Sequence, residues 1–409
     1  MTHSETRWDV VIVGGGAAGV ASAASLLKRR PGLSVAIVEP SDRHYYQPAW
    51  TLVGAGCFNQ ADTCRATASL IPSGAKWIRS RVTELDPAHQ RVGLDDGQSL
   101  HYRGLIVAPG LELNLGAIEG LESTLGNNGV TSNYIYELAP YTWQCVRELK
   151  GGRALFTQPP MPIKCAGAPQ KAMYLSCNYW EKQGCLKDID VHFHNAGAAL
   201  FGVADFVPPL MRYVERYNAH LNFNSQLIAV DGSQRQAVFR DTDSEGNSHE
   251  RREHFDLLHV VPPQRAPRFV RDSELANEAG WVAVDEASLQ HPQYPTVFSL
   301  GDACGASNAK TAAAVRKQAP VVAENLIAAL DDKPLTARYE GYGACPLTVE
   351  KGKVVLAEFG YQGKLQPSFP LDPTVPRRSM WWLKATAMPH IYFELMLKGR
   401  EWLVKPARL

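Results

Sequence analysis

A thiol stands in this sequence where a phosphate-binding turn is expected. Residues 154–156 form a short apolar run that predicts a buried strand. In a dinucleotide-binding fold such a strand is followed by a Gly-x-Gly-x-x-Gly turn, which lets a pyrophosphate approach the backbone. Here the chain instead carries Pro159, Pro160 and Pro162, and then Cys165. The exchange of a phosphate-binding turn for a thiol predicts sulfur redox chemistry that does not use NAD(P)H.

A complete dinucleotide fingerprint lies near the N-terminus, between a predicted strand at 9–13 and a predicted helix at 17–27. Its residues are Gly14, Gly16, Ala17 and Gly19. The first glycine permits a tight turn, the second lets a pyrophosphate contact the backbone, and the third lets the helix pack closely on the strand. The next predicted strand, 34–38, ends at Glu39, the expected acceptor for a ribose hydroxyl. Together these elements predict a dinucleotide site.

Two later segments identify the type of dinucleotide. The apolar run 105–110 predicts a strand that ends at Gly110, and the run 294–302 predicts one that ends at Gly301 and Asp302. In this order, the three motifs resemble the glutathione reductase-like flavoproteins, which have two dinucleotide-binding domains. The resemblance implies FAD as the cofactor and a hydrogen bond from its ribitol to Asp302.

A helix of small residues is predicted at 311–327. Its N-terminus is expected to point at the flavin, where the helix dipole could stabilise the reduced, anionic form. Lys317 on this helix is a candidate to help stabilise the reduced flavin. The alternative is that Lys317 is an ordinary solvated lysine.

The predicted elements indicate an α/β fold with two Rossmann-like domains, the second degenerate, and a C-terminal region. The predicted boundaries are 1–115 and 275–330 for a discontinuous FAD-binding domain, 116–274 for the inserted domain, and 331–409 for the C-terminal region. A net charge of +1 and the absence of a basic stripe outside the C-terminus argue against a nucleic-acid partner. Residues 1–8 show no secretory signal, and no apolar run reaches the ~18 residues of a membrane span.

The cysteine segments carry a more specific resemblance. Residues 162–176 and 342–361 resemble the two cysteine segments of the sulfide:quinone oxidoreductases, in the subgroup that includes the mitochondrial enzyme. The resemblance covers nearly the whole chain and maps the redox cysteines of the family onto Cys165 and Cys345. It implies that hydrosulfide attacks a disulfide or sulfur-bridged pair beside the flavin. Cys345 would carry the persulfide, Cys165 would form the flavin adduct, and electrons would pass through FAD to a membrane quinone. Sulfite, glutathione or another thiol would then accept the sulfane sulfur.

Two observations limit what can be carried over. Some members have a third essential cysteine where this chain has Tyr134, so a two-cysteine mechanism is implied. Histidines proposed as proton relays in bacterial relatives have no clear counterpart, and we name no general base. His192 and His194 alternate on a predicted strand and could suggest a metal pair. We interpret them as ordinary strand residues and expect no metal.

Residues 377–409 combine many cations with many aromatic and aliphatic side chains. This mixture is typical of an element in the interface of an anionic membrane, and Pro389 is expected to divide it into two short helices. The alternative is a helix pair packed on the protein's own core. The resemblance places Lys384 near the quinone head group, with Phe359 and Tyr392 as possible walls. It implies a monotopic protein on the cytoplasmic membrane, and it leaves a homo-oligomer open.

Three other functions remain possible at this point. A flavoprotein sulfide dehydrogenase that donates to a cytochrome would be expected to have an export signal and no membrane-seeking tail. A type II NADH:quinone oxidoreductase would need the second glycine fingerprint. A flavin-bearing scaffold that binds sulfur without turnover is the non-enzymatic alternative.

Overall fold

A computed structural model describes residues 7–409 of the chain. Part of the expectation about a secretory signal concerns residues 1–6, which lie outside the described residues. The N-terminal sheet has seven strands, and its main path runs in the spatial order Ala75–Ile78, Val35–Val38, Arg7–Val13, Ser99–Val107, Arg91–Leu94 and Val82–Asp86. The seventh strand, Val297–Ser299, pairs in parallel with the end of Ser99–Val107. The C-terminal part of the chain therefore completes the sheet that the N-terminus begins.

Two helices, Ala17–Arg29 and Ala312–Leu330, pack on one face of this sheet and on each other. Apolar side chains of the central strand, such as Val10 and Ile12, are fully buried beneath them. The predicted strand–turn–helix unit after residue 9 is confirmed, and so is the helix that follows the Gly301–Asp302 segment.

The inserted sheet has five parallel strands, in the order Val130–Thr131, Leu257–His259, Gly152–Gln158, Ile189–Asn195 and His220–Phe223. Helices Ala139–Glu148, Ala168–Gln183 and Val207–Arg216 pack on one face. The other face packs on an antiparallel sheet of Ser225–Asp231, Gln236–Thr242 and Ser248–His254. The two parallel sheets with flanking helices confirm the predicted α/β fold with two Rossmann-like units.

The C-terminal region contributes an antiparallel hairpin, Gly343–Glu350 and Lys353–Phe359, followed by a helical segment from 378 to 396. The expectation that Pro389 divides this segment is wrong, because the backbone stays helical through it. The turns at Leu383–Ala387 and Ile391–Met396 are wide π-helical turns. A proline ring normally clashes with the carbonyl four residues earlier, and a wide turn displaces that carbonyl.

Shorter elements complete the fold. The strand pairs are Arg43–Tyr45 with Cys64–Ala66, Glu112–Leu113 with Gln264–Arg265, and Ala337–Arg338 with Ala407–Arg408. The short helices are Trp50–Val53, Leu121–Thr124 and Arg268–Arg271. Across residues 7–409, none of the helices has the length and apolar character needed to cross a membrane.

Candidate active site

A cavity of about 1490 Å³ connects the glycine turn, the Cys165 turn and the C-terminal helical segment. Its lining includes residues 15–18, 43–48, 108–111, 164–165, 310–313, 315–317 and 382–384. Pockets for small ligands are usually ~300–1,000 Å³. This cavity therefore has room for a large cofactor and a further substrate.

The three fingerprint glycines differ in what a side chain would meet. Gly14 has φ +100°, and a Cβ there would lie 2.3 Å from the carbonyl oxygen of Ala108. A Cβ on Gly19 would lie 1.8 Å from the carbonyl oxygen of Gly14, so this glycine lets the helix pack on the turn. A Cβ on Gly16 would meet no atom within 4 Å, because this residue faces the cavity. The open space at Gly16, next to the N-terminus of helix Ala17–Arg29, suits a pyrophosphate.

The carboxylate of Glu39 is fixed at the edge of this turn. Its Oε2 accepts the N–H of Gly15 and its Oε1 accepts the N–H of Ser41, both at 2.8 Å. Gly110 and Gly301 also line the cavity, with φ values of +77° and +75° that favour glycine. These positions fit the predicted adenosine and ribitol side of a dinucleotide site.

Asp302 lies beside two lysines, the partly buried Lys164 and the buried Lys310. Burial raises the pKa of its carboxyl, whereas the charges of Lys164 and Lys310 act in the opposite direction. The Lys310 Nζ donates to the carbonyl oxygens of Asp302, at 2.9 Å, and Cys304, at 2.7 Å. These bonds hold the turn that presents Asp302 to the cavity.

The helix after Asp302 begins at the cavity, as its predicted role requires. Thr311 caps it, since its hydroxyl accepts the N–H of Ala314 at 3.1 Å. Lys317 also lines the cavity, but its Nζ donates to the carbonyl oxygen of Leu403 at 3.1 Å. Its ammonium therefore binds the C-terminal segment of the chain.

Several polar atoms in the wall have no protein partner. Trp50 Nε1, Thr51 Oγ1 and both amide atoms of Asn133 are buried without a hydrogen bond to any described residue, and all three side chains line the cavity. Such orphaned groups are costly unless a ligand or water satisfies them. With the open space at Gly16, they indicate that the residues present fit FAD.

The backbone holds Cys165 in an unusual conformation at the end of the proline-rich turn. Its φ is +50°, in the left-handed region that a non-glycine residue rarely adopts. The Cys165 N–H donates to the carbonyl oxygen of Lys310 at 2.8 Å, and the Tyr134 hydroxyl donates to the carbonyl oxygen of Lys164 at 3.0 Å. Helix Ala168–Gln183 begins three residues later, so its positive end lies near the thiol.

Cys345 lies in strand Gly343–Glu350 and is fully buried. Its thiol contacts that of Cys165, although 180 residues separate the two in the sequence, and both thiols are free. The Cys165 turn approaches this strand closely at Gly167, where a Cβ would lie 2.3 Å from the side chain of Leu347. The structure thus brings the two predicted redox cysteines together, with Cys165 in the cavity lining and Cys345 buried behind it.

The two thiols differ in their acidity. The contact with Cys345 and the Lys171 ammonium hold the pKa of Cys165 well below its ordinary value, against the effect of burial, and Lys384 adds to this only in its protonated form. The Lys171 Nζ donates to the Cys165 Sγ at 3.2 Å. The pKa of Cys345 is raised by the contact with Cys165 and by burial. Cys165 is therefore the thiolate of the pair.

Lys384 lies beside the cysteine pair. Its Nζ donates to the carbonyl oxygen of Pro346 at 3.1 Å, and only 5% of its surface is exposed. Burial and the nearby Lys171 ammonium lower the pKa of Lys384 well below its ordinary value. The resemblance implied a place near a quinone head group, whereas the structure places this amine where both thiols influence it.

Of the two aromatic candidates for the quinone passage, Tyr392 lines the cavity and Phe359 does not. Phe359 packs edge-on against Phe201, with ring centroids 5.8 Å apart, and is not among the residues that line the cavity. Tyr392 does line it, and its hydroxyl lies 2.7 Å from His44 Nε2. His44 Nδ1 faces the carbonyl oxygen of Gly15 at 3.1 Å and must donate to it, so Nε2 accepts from Tyr392. Burial lowers the pKa of His44 to about 4, which keeps it neutral.

Sequence reasoning missed Lys171, Lys164, Lys310 and His44 as site residues. Lys171 had a usable signal, because it lies in the first turns of the helix that starts just after Cys165. Lys164 and Lys310 had one too, because they directly precede Cys165 and the predicted helix at 311–327. His44 had none, because it meets Gly15 and Tyr392 only in the folded chain. Outside this cavity, the structure also brings His192 next to Asp190 and His220.

Comparisons with known proteins agree with this geometry. The sequence pattern of the pyridine nucleotide-disulphide oxidoreductases matches residues 8–142. The mitochondrial sulfide:quinone oxidoreductase of Mus musculus is 39% identical over 396 residues, which cover 97% of this chain and 88% of the relative. That of Dictyostelium discoideum is 40% identical over 399 residues, which cover 97% and 87%.

A solved structure shares the fold. The sulfide:quinone oxidoreductase of Aquifex aeolicus superposes with a TM-score of 0.79 over 97% of this chain and 92% of that chain, at 19% identity. The resemblance inferred from the cysteine segments is confirmed by the two mitochondrial relatives, which align with nearly all of this sequence. The chain belongs to the sulfide:quinone oxidoreductase family.

Proposed function

We propose that this protein oxidises sulfide and passes the two electrons through FAD to a membrane quinone. The observation that carries the proposal is the contact between an acidic thiol, Cys165, which lines the dinucleotide cavity, and a buried thiol of raised pKa, Cys345, directly behind it. The sulfur is left as sulfane sulfur for a small acceptor such as sulfite, glutathione or another thiol. NAD(P)H has no part in this reaction.

The difference in acidity directs the first step. In thiol–disulfide exchange, the sulfur with the lower pKa leaves faster. When the pair is oxidised to a disulfide, hydrosulfide therefore forms its new bond with Cys345, the bond between the cysteines breaks, and Cys165 leaves as a thiolate. The Lys171 ammonium, already bound to Cys165 Sγ, stabilises that thiolate.

The remaining steps move the proton of hydrosulfide, the outer sulfur of the persulfide and the two electrons of the cysteine pair. Nζ of Lys384, whose lowered pKa favours the neutral amine, takes the proton that hydrosulfide carried. An acceptor removes the outer sulfur of the persulfide and leaves Cys345 as a thiolate. Re-forming the disulfide from the two thiolates then releases two electrons. FAD, held by the glycine turn, Glu39 and Asp302, would supply the two-electron acceptor between the cysteine pair and quinone, and the quinol takes one proton from Lys384 and one from solvent.

In this proposal each part of the chain has one task. The FAD-binding domain, residues 1–115 and 275–330, holds the dinucleotide through Gly14, Gly16, Gly19 and Glu39, with Asp302 at the ribitol. The inserted domain, residues 116–274, supplies Cys165. Residues 331–409 supply Cys345, Lys384 and Tyr392, with Tyr392 in the wall of the quinone passage. Phe359 is not part of that passage, because its ring packs in the core of the inserted domain.

We further propose that the C-terminal region rests on a membrane, and that this is the cytoplasmic membrane. Trp382, Trp402 and Leu403 line the cavity and expose 61%, 59% and 70% of their surface. Exposed tryptophan and leucine beside lysine and arginine favour the interface of an anionic bilayer. A quinone dissolved in that bilayer would reach the cavity without crossing water.

The activity is tested with the FAD-loaded full chain and a soluble quinone analogue under anaerobic conditions. With sulfite present as the sulfur acceptor, sulfide is expected to bleach the flavin and to reduce one quinone for each sulfide consumed, whereas NADH leaves the flavin oxidised. Rapid bleaching by NADH, with none by sulfide, would contradict the proposal.

Membrane binding is tested separately with vesicles of anionic and neutral lipids. Trp402→Ala is expected to lower the partition into anionic vesicles several-fold, because it removes a large interfacial side chain. Phe223→Ala is the control, since Phe223 is 37% exposed on the inserted domain. Equal losses in the two variants would overturn the proposed orientation.

A further inference from the structure

A cluster of imidazole and carboxylate groups lies on the inserted sheet, on the face opposite the helix that follows Cys165. In strand Ile189–Asn195, Val191 and Phe193 point into the core beneath that helix. Side chains alternate along a strand, so His192 points to the other face. His220 lies opposite His192 in the register of the neighbouring parallel strand and shares that face.

The geometry points to a binding site for a divalent transition-metal ion, best matched by Zn²⁺, formed by Asp190, His192 and His220. We propose it as a site separate from the sulfide chemistry. Zn²⁺ prefers imidazole nitrogen and carboxylate oxygen at ~2.0–2.2 Å in a tetrahedral arrangement. Three ligands from the chain would leave the fourth position to water.

The distances suit such an ion. His192 Nε2 lies 2.9 Å from Asp190 Oδ1, and His220 Nε2 lies 3.6 Å from the same oxygen. The two imidazole centroids are 4.8 Å apart, and one ligand atom of each of the three residues lies within 4.8 Å of the others. Tetrahedral ligands at the Zn²⁺ distances are ~3.3 Å from one another. The observed separations bracket that value, so small side-chain movements would complete the site.

A neighbouring amide orients the central ligand. Asn222 lies two residues beyond His220, and its side-chain amide is 3.3 Å from His192 Nδ1. A hydrogen bond to the second ring nitrogen is what fixes a metal-binding imidazole and selects its tautomer. With the amide turned over, the Asn222 oxygen accepts the Nδ1–H and leaves Nε2 for the metal.

The charged groups around the proposed site are compatible with a bound cation. Arg153 forms an ion pair with Asp190 at 2.8 Å and also lies 3.7 Å from Glu253. Its guanidinium can therefore stay paired with Glu253 when Asp190 binds the metal. Burial lowers the pKa of His192, which favours the neutral ring that a metal requires. His220 is 56% exposed, so an ion can reach the site from solvent.

A second group, His192, His194 and Glu253, also converges, but we exclude His194 and Glu253 from the ligands. The guanidinium of Arg251 forms a close ion pair with Glu253. His194 and Glu253 are also buried, so an ion cannot reach them directly from solvent. The proposal is therefore confined to the more exposed group.

The test titrates the FAD-loaded full chain with Zn²⁺ alone. One ion is expected to bind at this site, and His192→Ala and His220→Ala are each expected to weaken its binding at least tenfold. Asn222→Ala should weaken it about 10–100-fold, as loss of an orienting partner does elsewhere. His254→Ala is the matched control, because it removes an exposed imidazole from the adjacent antiparallel sheet. The exposed position of His220 makes its variant the one least prone to misfolding.

The cysteines could also capture Zn²⁺, so X-ray absorption at the zinc edge identifies the ligands. The proposal expects scattering from nitrogen and oxygen at ~2.0–2.2 Å, whereas thiolate ligation gives ~2.3 Å. Sulfur ligation, binding that survives both histidine variants, an equal loss in His254→Ala, or no saturable binding would each overturn it.

Discussion

The two parallel sheets use the same strand–turn–helix unit for different chemistry. In the N-terminal sheet, strand Arg7–Val13 passes through residues 14–16 into helix Ala17–Arg29. In the inserted sheet, strand Gly152–Gln158 passes through residues 159–167 into helix Ala168–Gln183. The first turn is short and rich in glycine, whereas the second is long, contains prolines and ends near Cys165.

The difference shows that the helix N-terminus is the shared element. Its partial positive charge favours any anion placed there, whether phosphate or thiolate. In the first unit the open space at Gly16 leaves the helix end to a phosphate. In the second unit, Cys165, with its left-handed backbone conformation, lies in front of the helix N-terminus. Lys171 adds a full positive charge beside its thiol. A different turn in front of the same kind of helix end therefore presents a thiol in place of a phosphate, and contacts from the helix and from distant residues complete the thiol site.

The largest effect is expected from removing either thiol of the second unit. Cys165→Ser and Cys345→Ser should each lower sulfide-dependent quinone reduction by at least about 1,000-fold, because the sulfur-to-sulfur bond cannot form. Flavin absorbance and quinone reduction are measured together. Cys185→Ser, at the far end of the same helix, should keep the wild-type rate. Full activity in both serine variants would refute the proposed pair.

A large effect on the cofactor is expected from the first unit. Gly16→Val should leave the fold intact, because no atom lies within 4 Å of its Cβ, but should fill the space for the pyrophosphate. We expect the Kd for FAD to rise about 100-fold, equivalent to ~2.8 kcal/mol. Gly32→Val also meets no atom within 4 Å and serves as the control. Unchanged FAD affinity in the Gly16 variant would place the dinucleotide elsewhere.

An intermediate effect is expected from Lys171→Met. A depressed pKa keeps Cys165 in the thiolate form at all pH values above it, so alkylation accelerates with pH only up to that pKa and then levels off. Losing the ammonium should raise the pKa of Cys165 and move the midpoint to higher pH. Alkylation of the Cys165 peptide, followed by mass spectrometry, reports this midpoint. Lys182→Met, in the last turn of the same helix, should leave the midpoint unchanged. An unshifted midpoint in Lys171→Met would show that Lys171 does not set the acidity of Cys165.

The smallest effect is expected from Tyr134→Phe. This variant removes the hydroxyl that holds the Lys164 carbonyl, a bond worth ~1 kcal/mol. Amide hydrogen exchange within residues 159–167 should accelerate about fivefold. Tyr136→Phe should not alter exchange in this turn. Equal exchange in wild type and Tyr134→Phe would mean that the hydroxyl does not stabilise the turn.

The dinucleotide unit could be predicted because its information is local. Gly14, Gly16 and Gly19 lie within one turn, and Glu39 follows on the next strand. Steric fit at these positions depends mainly on the two adjacent strands and one helix. The strand and helix around them could therefore be predicted to within a few residues.

The thiol site depends on distant contacts, which local patterns do not encode. Cys345 could be assigned only through resemblance, since nothing in its strand indicates that it meets Cys165. Lys384 reaches the pair because the helical turns at 378–387 pack on the hairpin that contains Cys345. The His192 cluster was missed for the same reason, because the cross-strand register brings in His220. The domain boundaries at 115, 275 and 330 stay predictions.

The most direct test of the central claim locates the first sulfur atom that the enzyme gains. The oxidised, FAD-loaded chain is mixed anaerobically with one equivalent of sulfide, quenched by alkylation and digested for mass spectrometry. The account predicts one added sulfur on Cys345, no added sulfur on Cys165 and a flavin that bleaches only after sulfite is added to remove the outer sulfur. An added sulfur on Cys165, or a flavin that bleaches before sulfite is added, would contradict it.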